Sequence, residues 1–195
     1  MGGRVVGDGG GVRTVLIACP CDHAVMSDDT GMSDDTAGPI VRVRPMTQAE
    51  YDHWQVHLAD DYANEQVAAG RWPAQGALQR ALEENARSLP DGLDTARMLL
   101  LRGVLDDDTP IGRAWVSLDH PREAPDVAFL YDIEVESDFR GQGLGRALLS
   151  AVEQAVREAG VGSLELNVFG RNHVAVRLYS SQGYEVVTQQ MRKAL

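Results

Sequence analysis

A predicted strand, a turn with three glycines and an amphipathic helix constrain this 195-residue chain more than any other feature. Residues 135–146 read Val-Glu-Ser-Asp-Phe-Arg-Gly-Gln-Gly-Leu-Gly-Arg, and the following helix carries Leu148, Leu149, Val152 and Val156 on one side. Glycine permits unusual dihedrals and close backbone approach, and the first turn of a helix leaves N–H groups without intrahelical partners. With the helix dipole, these amides form a cradle suited to a pyrophosphate.

The glycine spacing argues against two common phosphate-binding motifs. A dinucleotide-binding turn has G-x-G-x-x-G early in a βαβ unit, whereas this turn has G-x-G-x-G and follows a run of strands. The lysine of a phosphate-loop nucleotidase is missing from the turn. A tight strand–helix junction that binds no ligand is the alternative that this segment alone leaves open.

Hydrophobic periodicity and turn residues predict one mixed α/β domain over residues 39–195. Residues 40–45 alternate as in a half-buried strand, and Thr47 with Glu50 forms a capping box for a helix over 48–69. The other predicted elements are a helix over 74–88, strands over 96–105, 112–118 and 126–135, a helix over 142–159, a strand over 163–168, a helix over 172–182 and a strand over 184–191. The order is β-αα-βββ-α-β-α-β.

Composition narrows the class of protein. The chain is 44% hydrophobic and 24% charged, as in globular proteins, and no apolar run approaches the ~18 residues that span a bilayer. The net charge of -11, with 18 basic against 29 acidic residues, argues against a nucleic-acid partner. We therefore expect a cytoplasmic protein with neither a nucleic-acid nor a membrane partner.

No metal site is expected. Cys19 and Cys21 are too few for a disulfide framework, and two thiols alone make a poor metal site. The histidines also lack convincing metal-ligand spacing: His53, His57, His120 and His173. Residues 1–38, which contain both cysteines, are rich in glycine and repeat Met-Ser-Asp-Asp-Thr, so we expect a disordered extension there.

A second informative block follows the predicted strand over 163–168. Residues 172–184 read Asn-His-Val-Ala-Val-Arg-Leu-Tyr-Ser-Ser-Gln-Gly-Tyr. Together with residues 140–145, the chain here resembles the GNAT superfamily of CoA-dependent N-acyltransferases, whose motifs are R/Q-x-x-G-x-G/A and N-x-x-A-x-x-L-Y-x-x-x-G-F/Y. The resemblance covers about residues 39–195. The motif pair is specific for acyl-CoA binding and nearly silent about the acceptor.

The resemblance implies a GNAT-like fold and an N-acetyltransferase that moves an acetyl group from acetyl-CoA to a primary amine of a small molecule or protein, by direct attack in a ternary complex. The backbone of Ile133 and Val135 would pair with the pantetheine arm, which Asn172 would also bind. Tyr179 would lie near the thioester sulfur and protonate the departing thiolate. The pyrophosphate would lie against the turn formed by Arg140, Gly141, Gln142, Gly143 and Gly145, with Arg146 close by.

The reaction needs an oxyanion donor and an acid. The N–H of Val135 can stabilise the developing oxyanion if neighbouring strands splay apart there, and such a donor contributes about 3 kcal/mol. A phenol has a reference pKa of about 10, not far from that of a thiol, so Tyr179 can act as the acid. The alternative for Tyr179 is a core aromatic on an amphipathic helix.

The general base is less well defined by the sequence. Many family members have an acidic residue at positions matching Phe129, Tyr131 or Asn167, and none of these is acidic here. Asp132 is the candidate, although strict alternation along a strand directs it away from the face that carries Tyr131. A bulge would re-aim it. The alternative for Asp132 is a carboxylate at the sheet edge or surface.

The first two helices are the usual lid over the acceptor in this fold. Their acidic and aromatic residues indicate either a cleft that attracts a cationic amine or a solvated helix face with two core tryptophans. These residues are Asp60, Asp61, Glu65, Glu83, Glu84, Trp54 and Trp72.

Three further readings concern the whole protein. The missing acidic residues leave open an acyl-CoA-binding regulatory module without catalysis. Because the predicted domain has no cysteine, a covalent acyl-thiol intermediate is not expected. Fold analogy also allows a homodimer in which the last strand, over 185–191, exchanges between subunits.

Overall fold

In a computed structural model, residues 40–191, 193 and 194 are described. The predicted extension over 1–38, with Cys19 and Cys21, lies outside these residues. The elements are β1 (Arg42–Pro45), α1 (Gln48–Ala68), α2 (Ala77–Ser88), β2 (Met98–Val104), β3 (Pro110–Ser117), β4 (Val127–Val135), α3 (Leu144–Glu158), β5 (Ser163–Leu166) and α4 (His173–Ser181). None of the described helices combines the length and apolar character needed to cross a membrane.

The five strands form one sheet in the order β1-β2-β3-β4-β5. The pairs β1–β2, β2–β3 and β3–β4 are antiparallel, and β5 runs parallel to β4. One core lies between the sheet and α3, and a second lies between the opposite face and α1. The predicted mixed α/β fold is confirmed, as is the element order through α4.

The capping box that the sequence predicts opens α1. The side chain of Thr47 accepts from the Glu50 N–H at 3.3 Å, and Glu50 Oε2 accepts from the Thr47 N–H at 2.8 Å. Arg44 of β1 pairs with Glu50 at 2.7 Å and lowers the pKa of that carboxyl to about 2. Arg102 of β2 lies 3.6 Å from the same carboxylate, so the start of α1 lies over β1 and β2.

From there α1 crosses the sheet. The Trp54 ring packs edge-on against Trp115 of β3, with centroids 5.6 Å apart. Beyond the helix, the Arg71 guanidinium lies 5.2 Å from the centroid of Phe169, which follows β5. The helix therefore runs from the β1 side of the sheet to the β5 side. Its buried residues include Trp54, Leu58 and Tyr62.

Two paired glycines let α3 pack closely on the sheet. Gly103 of β2 and Gly112 of β3 are cross-strand partners, and the buried side chain of Leu148 lies over both. A Cβ at Gly112 would lie 2.4 Å from the carbonyl oxygen of Glu134 and 2.9 Å from a Leu148 methyl group. Only glycine permits this backbone approach.

The predicted strand over 184–191 is wrong, because these residues carry no strand. The Tyr184 hydroxyl donates to Glu153 of α3 at 3.1 Å, and Gln190 accepts from Arg71 at 3.3 Å. These two anchors hold the segment beside a cavity of about 650 Å³, so it adds no strand to the edge of β5. The adjacent Val186 and Val187 are both largely exposed. The predicted exchange between subunits stays a prediction.

Replacing Gly112 with Ala is expected to lower the free energy of unfolding by about 2 kcal/mol or more, because the strand backbone of Glu134 cannot yield as a flexible side chain does. Urea unfolding followed by tryptophan fluorescence measures the loss. Gly170→Ala is the matched control, since a Cβ there meets no atom within 4 Å. Equal losses in the two variants would contradict the packing argument.

Candidate active site

A β-bulge in β4 decides which side chains face α1. Trp115 of β3 pairs with Asp132, but the next residue, Val116, pairs with Leu130, so Tyr131 is the extra residue. A bulge reverses the alternation of side chains beyond it. Strict alternation, which predicts that Tyr131 and Asp132 lie on opposite faces, is therefore wrong at this point.

The two residues at the bulge both contact the α1 side of the sheet. The Tyr131 ring stacks on Trp115, with centroids 4.6 Å apart and ring planes at 22°. Asp132 accepts a hydrogen bond from Nε1 of Trp54 at 3.2 Å. Ile133 and Val135 belong instead to the core beneath α3.

Asp132 is held by a buried ion pair. Its side chain is 1% exposed, and its Oδ2 atom accepts from Arg113 Nε at 3.0 Å as well as from Trp54. Oδ1 is buried and has no hydrogen-bond partner among the described residues. Burial alone would lower the pKa of Arg113, but Asp132 and Glu134 more than offset this, and the pKa is raised. Arg113 was not predicted from the sequence, in which its only local signal is an arginine in an apolar strand.

A chain of ion pairs connects Asp132 to the glycine turn. Arg113 also pairs with Glu134, and Arg140 pairs with the other oxygen of Glu134 at 2.7 Å. Arg140 Nε donates to the carbonyl oxygen of Val135 at 2.9 Å. The side chain of Arg140 is thus tied to the end of β4, directly before the turn.

The edge of β4 that faces β5 is open beyond Leu130. The two strands pair only from Val127 to Leu130. On the other edge, the N–H of Glu136 donates to the carbonyl oxygen of Ile111 in β3 at 2.9 Å. Because backbone groups alternate along a strand, the N–H groups of Ile133 and Val135 point to the open edge.

The turn before α3 has the geometry of an anion cradle. Gly141 and Gly143 have φ of 76° and 77°, and a Cβ at either would meet no atom within 4 Å. Gly143 is the N-cap, so the N–H groups that follow lie in the first turn of α3, where intrahelical acceptors are missing. The N–H of Arg140 donates to Ser137 at 3.3 Å. The open amides therefore begin at Gly141.

The polar side chains of the turn lie on its surface. Gln142 Nε2 donates to the carbonyl oxygen of Asp138 at 3.1 Å. Arg146 is exposed in the first turn of α3, with its guanidinium 3.5 Å from the Ser181 hydroxyl. Arg140 pairs with Glu134, whereas Arg146 forms no ion pair with a described carboxylate. Its positive charge adds to that of the helix dipole.

Tyr179 lies in α4 with a buried hydroxyl. The residue is 3% exposed, and its hydroxyl has no hydrogen-bond partner among the described residues. Burial, with smaller contributions from Tyr184 and Asp132, raises its pKa. Asn172 caps the same helix, and its Oδ1 accepts from the Ala175 N–H at 3.1 Å. A buried hydroxyl without a partner is uncommon and indicates a place for a ligand group.

A polar cavity of about 570 Å³ lies between α1 and the end of β4. Asp61 lies on its wall with His53, Arg113 and Arg140. Burial, with Asp132 among smaller contributions, raises the pKa of Asp61. Within residues 40–191, no group of three or more His, Cys, Asp or Glu side chains could hold a metal ion.

The acidic and aromatic residues of the first two helices, here called the lid, were expected to form either a cleft for a cationic amine or a solvated face with two core tryptophans. Each interpretation fits some of these residues. Asp60 and Glu83 are exposed, Trp54 is in the core, and Glu84 accepts from the Tyr62 hydroxyl at 3.2 Å. Trp72 is half-buried, packed between Tyr62 and Arg80. Asp61 faces the cavity, and Glu65 is half-buried nearer the β5 side. The lid therefore has a core side, a solvated side and two acidic residues towards the sheet.

The sequence profile of the acetyltransferase (GNAT) family matches residues 57–184. This chain belongs to the GNAT acetyltransferase family. It is 30% identical over 155 residues to YycN, an uncharacterised N-acetyltransferase of Bacillus subtilis, a match that covers 80% of this chain and 99% of YycN. The crystal structure of YycN superposes with a TM-score of 0.74 and covers 80% of this chain and 98% of YycN.

Two other comparisons extend the family view. The [ribosomal protein bS18]-alanine N-acetyltransferase of Escherichia coli is 41% identical over 63 residues, 32% of this chain and 43% of that protein. AAC(6')-Iy, solved with a bisubstrate analogue that includes CoA, shares the fold at a TM-score of 0.51 and 18% identity, with 80% of this chain and 97% of that chain covered. Membership of the GNAT family supports acetyl transfer in general. The predictions of this family and of an acyltransferase enzyme are therefore confirmed.

Replacing Arg113 with Met is expected to lower the free energy of unfolding by about 3–5 kcal/mol, because it leaves the Asp132 carboxylate buried without its cationic partner. Urea denaturation at neutral pH tests this. Arg97→Met removes a similarly short but exposed ion pair with Asp119 and is expected to cost much less, because solvent screens exposed charges. Similar losses for the two variants would show that Asp132 does not depend on Arg113.

Proposed function

We propose that this protein is an N-acetyltransferase that moves an acetyl group from acetyl-CoA to a primary amine by direct attack in a ternary complex. The observation that carries the proposal is the end of the pairing between β4 and β5 at Leu130, beyond which β4 continues to Val135. It leaves an open backbone edge that leads towards the glycine turn. Tyr179 of α4 adds a buried hydroxyl that has no partner among the described residues.

The residues present fit coenzyme A. A Cβ at Gly141 or Gly143 would meet open space, and the amides that follow lie at the N-terminus of α3, where helix dipole and N–H groups favour a pyrophosphate. Arg146 adds a positive charge to that surface. The open edge at Ile133 and Val135 offers backbone groups to the amides of the pantetheine arm. Asn172 at the start of α4 completes the proposed set.

Acetyl-CoA supplies an activated thioester, and the chain supplies the polar groups around it. The N–H of Val135 donates to the negative charge that develops on the carbonyl oxygen. Burial raises the pKa of Tyr179, which keeps its phenol protonated at neutral pH and able to donate to the sulfur as the C–S bond breaks. The proposed transfer is direct, because the described domain contains no cysteine to carry the acetyl group.

A cationic amine suits the acceptor side. Asp61 and Glu65 place negative charge on the part of α1 that faces the sheet, and the whole chain carries a net charge of -11. Such a field attracts an ammonium group and repels a nucleic acid. The Escherichia coli relative acts, by its name, on an alanine of a ribosomal protein, so a peptide with an N-terminal alanine belongs in any acceptor panel.

Replacing Gly143 with Ala is expected to weaken CoA binding by about tenfold or more, because a methyl group would enter the space before the amides. Isothermal titration calorimetry with CoA measures this. Gly160→Ala is the matched control at the opposite end of α3. It has φ of 84° and open space, and so carries similar backbone strain. If CoA binding is weakened equally in both variants, the glycine turn is not part of the CoA site.

Replacing Tyr179 with Phe is expected to lower kcat by about 100-fold, because the variant keeps the packed ring and loses the acid. The assay is thiol release from acetyl-CoA with an alanine-initiated peptide, glucosamine, spermidine and lysine. Tyr184→Phe is the control, since its ring lies 5.5 Å from Tyr179 and its hydroxyl is bound to Glu153. It is expected to stay within about threefold of wild type.

Two outcomes would contradict this assignment. A Tyr179→Phe variant as active as Tyr184→Phe would exclude the phenol as the acid. CoA binding by the wild-type protein with no turnover of any amine would favour the acyl-CoA-binding regulatory module instead.

A further inference from the structure

We propose that Glu65 of α1 takes the proton from the acceptor amine. The inference rests on the proposed acetyl transfer and adds a catalytic residue to it. Three observations carry the assignment: the path of α1 across the sheet, the charged groups around Glu65 and the unpartnered oxygen of its carboxyl group.

The C-terminal half of α1 lies beside the loop that follows β5. Arg71, six residues after Glu65, has its guanidinium 5.2 Å from the centroid of Phe169. Arg171 lies 5.0 Å from the same ring. Glu65 is seven residues, or about two turns, after Leu58, so the two share a face of the helix. Leu58 packs in the core between α1 and the sheet, so that face is directed to the sheet.

Two of the charged residues that affect Glu65 lie near the open edge of the sheet, one on β4 and one in the loop after β5. Arg171 follows β5 and attracts the Glu65 carboxylate, and Asp132 on β4 repels it. Pairing between these strands ends at Leu130 and Leu166, so Asp132 and Arg171 both lie beyond the last paired residues. Because Glu65 lies on the sheet-facing side of α1, close to the loop after β5, the proposal places its carboxyl group over the gap between β4 and β5. The proposed thioester carbonyl lies in this gap, next to the N–H of Val135.

One oxygen of Glu65 is available to a substrate. Its Oε2 atom is buried and has no hydrogen-bond partner in the part of the chain that the structure describes. Asp132, the candidate of the sequence analysis, accepts from Trp54 and Arg113 through one oxygen and is 1% exposed. The Asp132 carboxylate is therefore committed to an ion pair and enclosed, whereas Glu65 is half-buried.

The environment tunes Glu65 for proton transfer near neutral pH. Burial raises its pKa to about 7, with Asp61 and Asp132 also raising it and Arg171 lowering it. A base is most effective when its pKa lies near the working pH. Because the base must be ionised, the rate is expected to fall as the pH drops below about 7.

The proton balance is complete without a further reactant. The N–C bond forms, the C–S bond breaks, and Tyr179 gives its proton to the sulfur. An ammonium nitrogen loses two protons on becoming an amide. One passes to Glu65 and then to water, and the other restores the phenol of Tyr179.

The test compares Glu65→Gln with Glu83→Gln, which makes the same change at an exposed position of the same lid. With the fastest amine of the panel, Glu65→Gln is expected to lower kcat/KM by about 100-fold at pH 7 and to abolish the acidic limb of the pH profile. Wild type and Glu83→Gln keep that limb, with a midpoint near pH 7. Calorimetry is expected to show unchanged CoA affinity in Glu65→Gln.

Retention of the limb in Glu65→Gln would overturn the assignment, and so would a rise in the KM of the amine with kcat unchanged. A wild-type protein that turns over no amine would instead refute the proposed function. An independent measurement does not need turnover. ¹³C NMR of wild-type protein with labelled glutamate carboxyls is expected to show a signal that titrates near pH 7, and Glu65→Gln assigns this signal by removing it. A wild-type spectrum without such a signal would also overturn the assignment.

Discussion

Strand β4 has to satisfy two demands at once, and the rest of the site depends on how it does so. It pairs with β3 to its end at Val135, but with β5 only as far as Leu130. The early end of this pairing exposes backbone groups that most sheets would pair, and the bulge at Tyr131 directs Asp132 to the face covered by α1. One strand thereby contributes to both the proposed cofactor site and the acceptor side.

Buried charge holds this arrangement together. Asp132, Arg113, Glu134 and Arg140 form a continuous chain of ion pairs from beneath α1 to the glycine turn. Such a chain is costly to break and adds little net stability compared with an apolar core. Its value here is positional, because it ties the end of β4 to the turn before α3. Glu65 lies outside the chain, and one oxygen of its carboxyl group has no donor among the described residues.

Features set by neighbouring residues could be predicted, and features set by distant partners could not. The capping box of Thr47 and Glu50 and the left-handed glycines before α3 follow from spacing along the chain. The strand expected over 184–191 failed because two long-range anchors hold that segment beside a cavity. A strand exists only where a partner backbone is present, and no local pattern reports the partner.

The sequence by itself determined the family, the mixed α/β order through α4 and the position of the proposed cradle, because glycine conformation and helix termini are local properties. Only the tertiary structure decided the orientation of Asp132, its pairing with Arg113 and the half-burial of Glu65. A one-residue bulge reverses every side chain beyond it, and the charge state of a carboxyl group depends on groups far away in sequence. Both effects arise only when the strands and α1 are packed together.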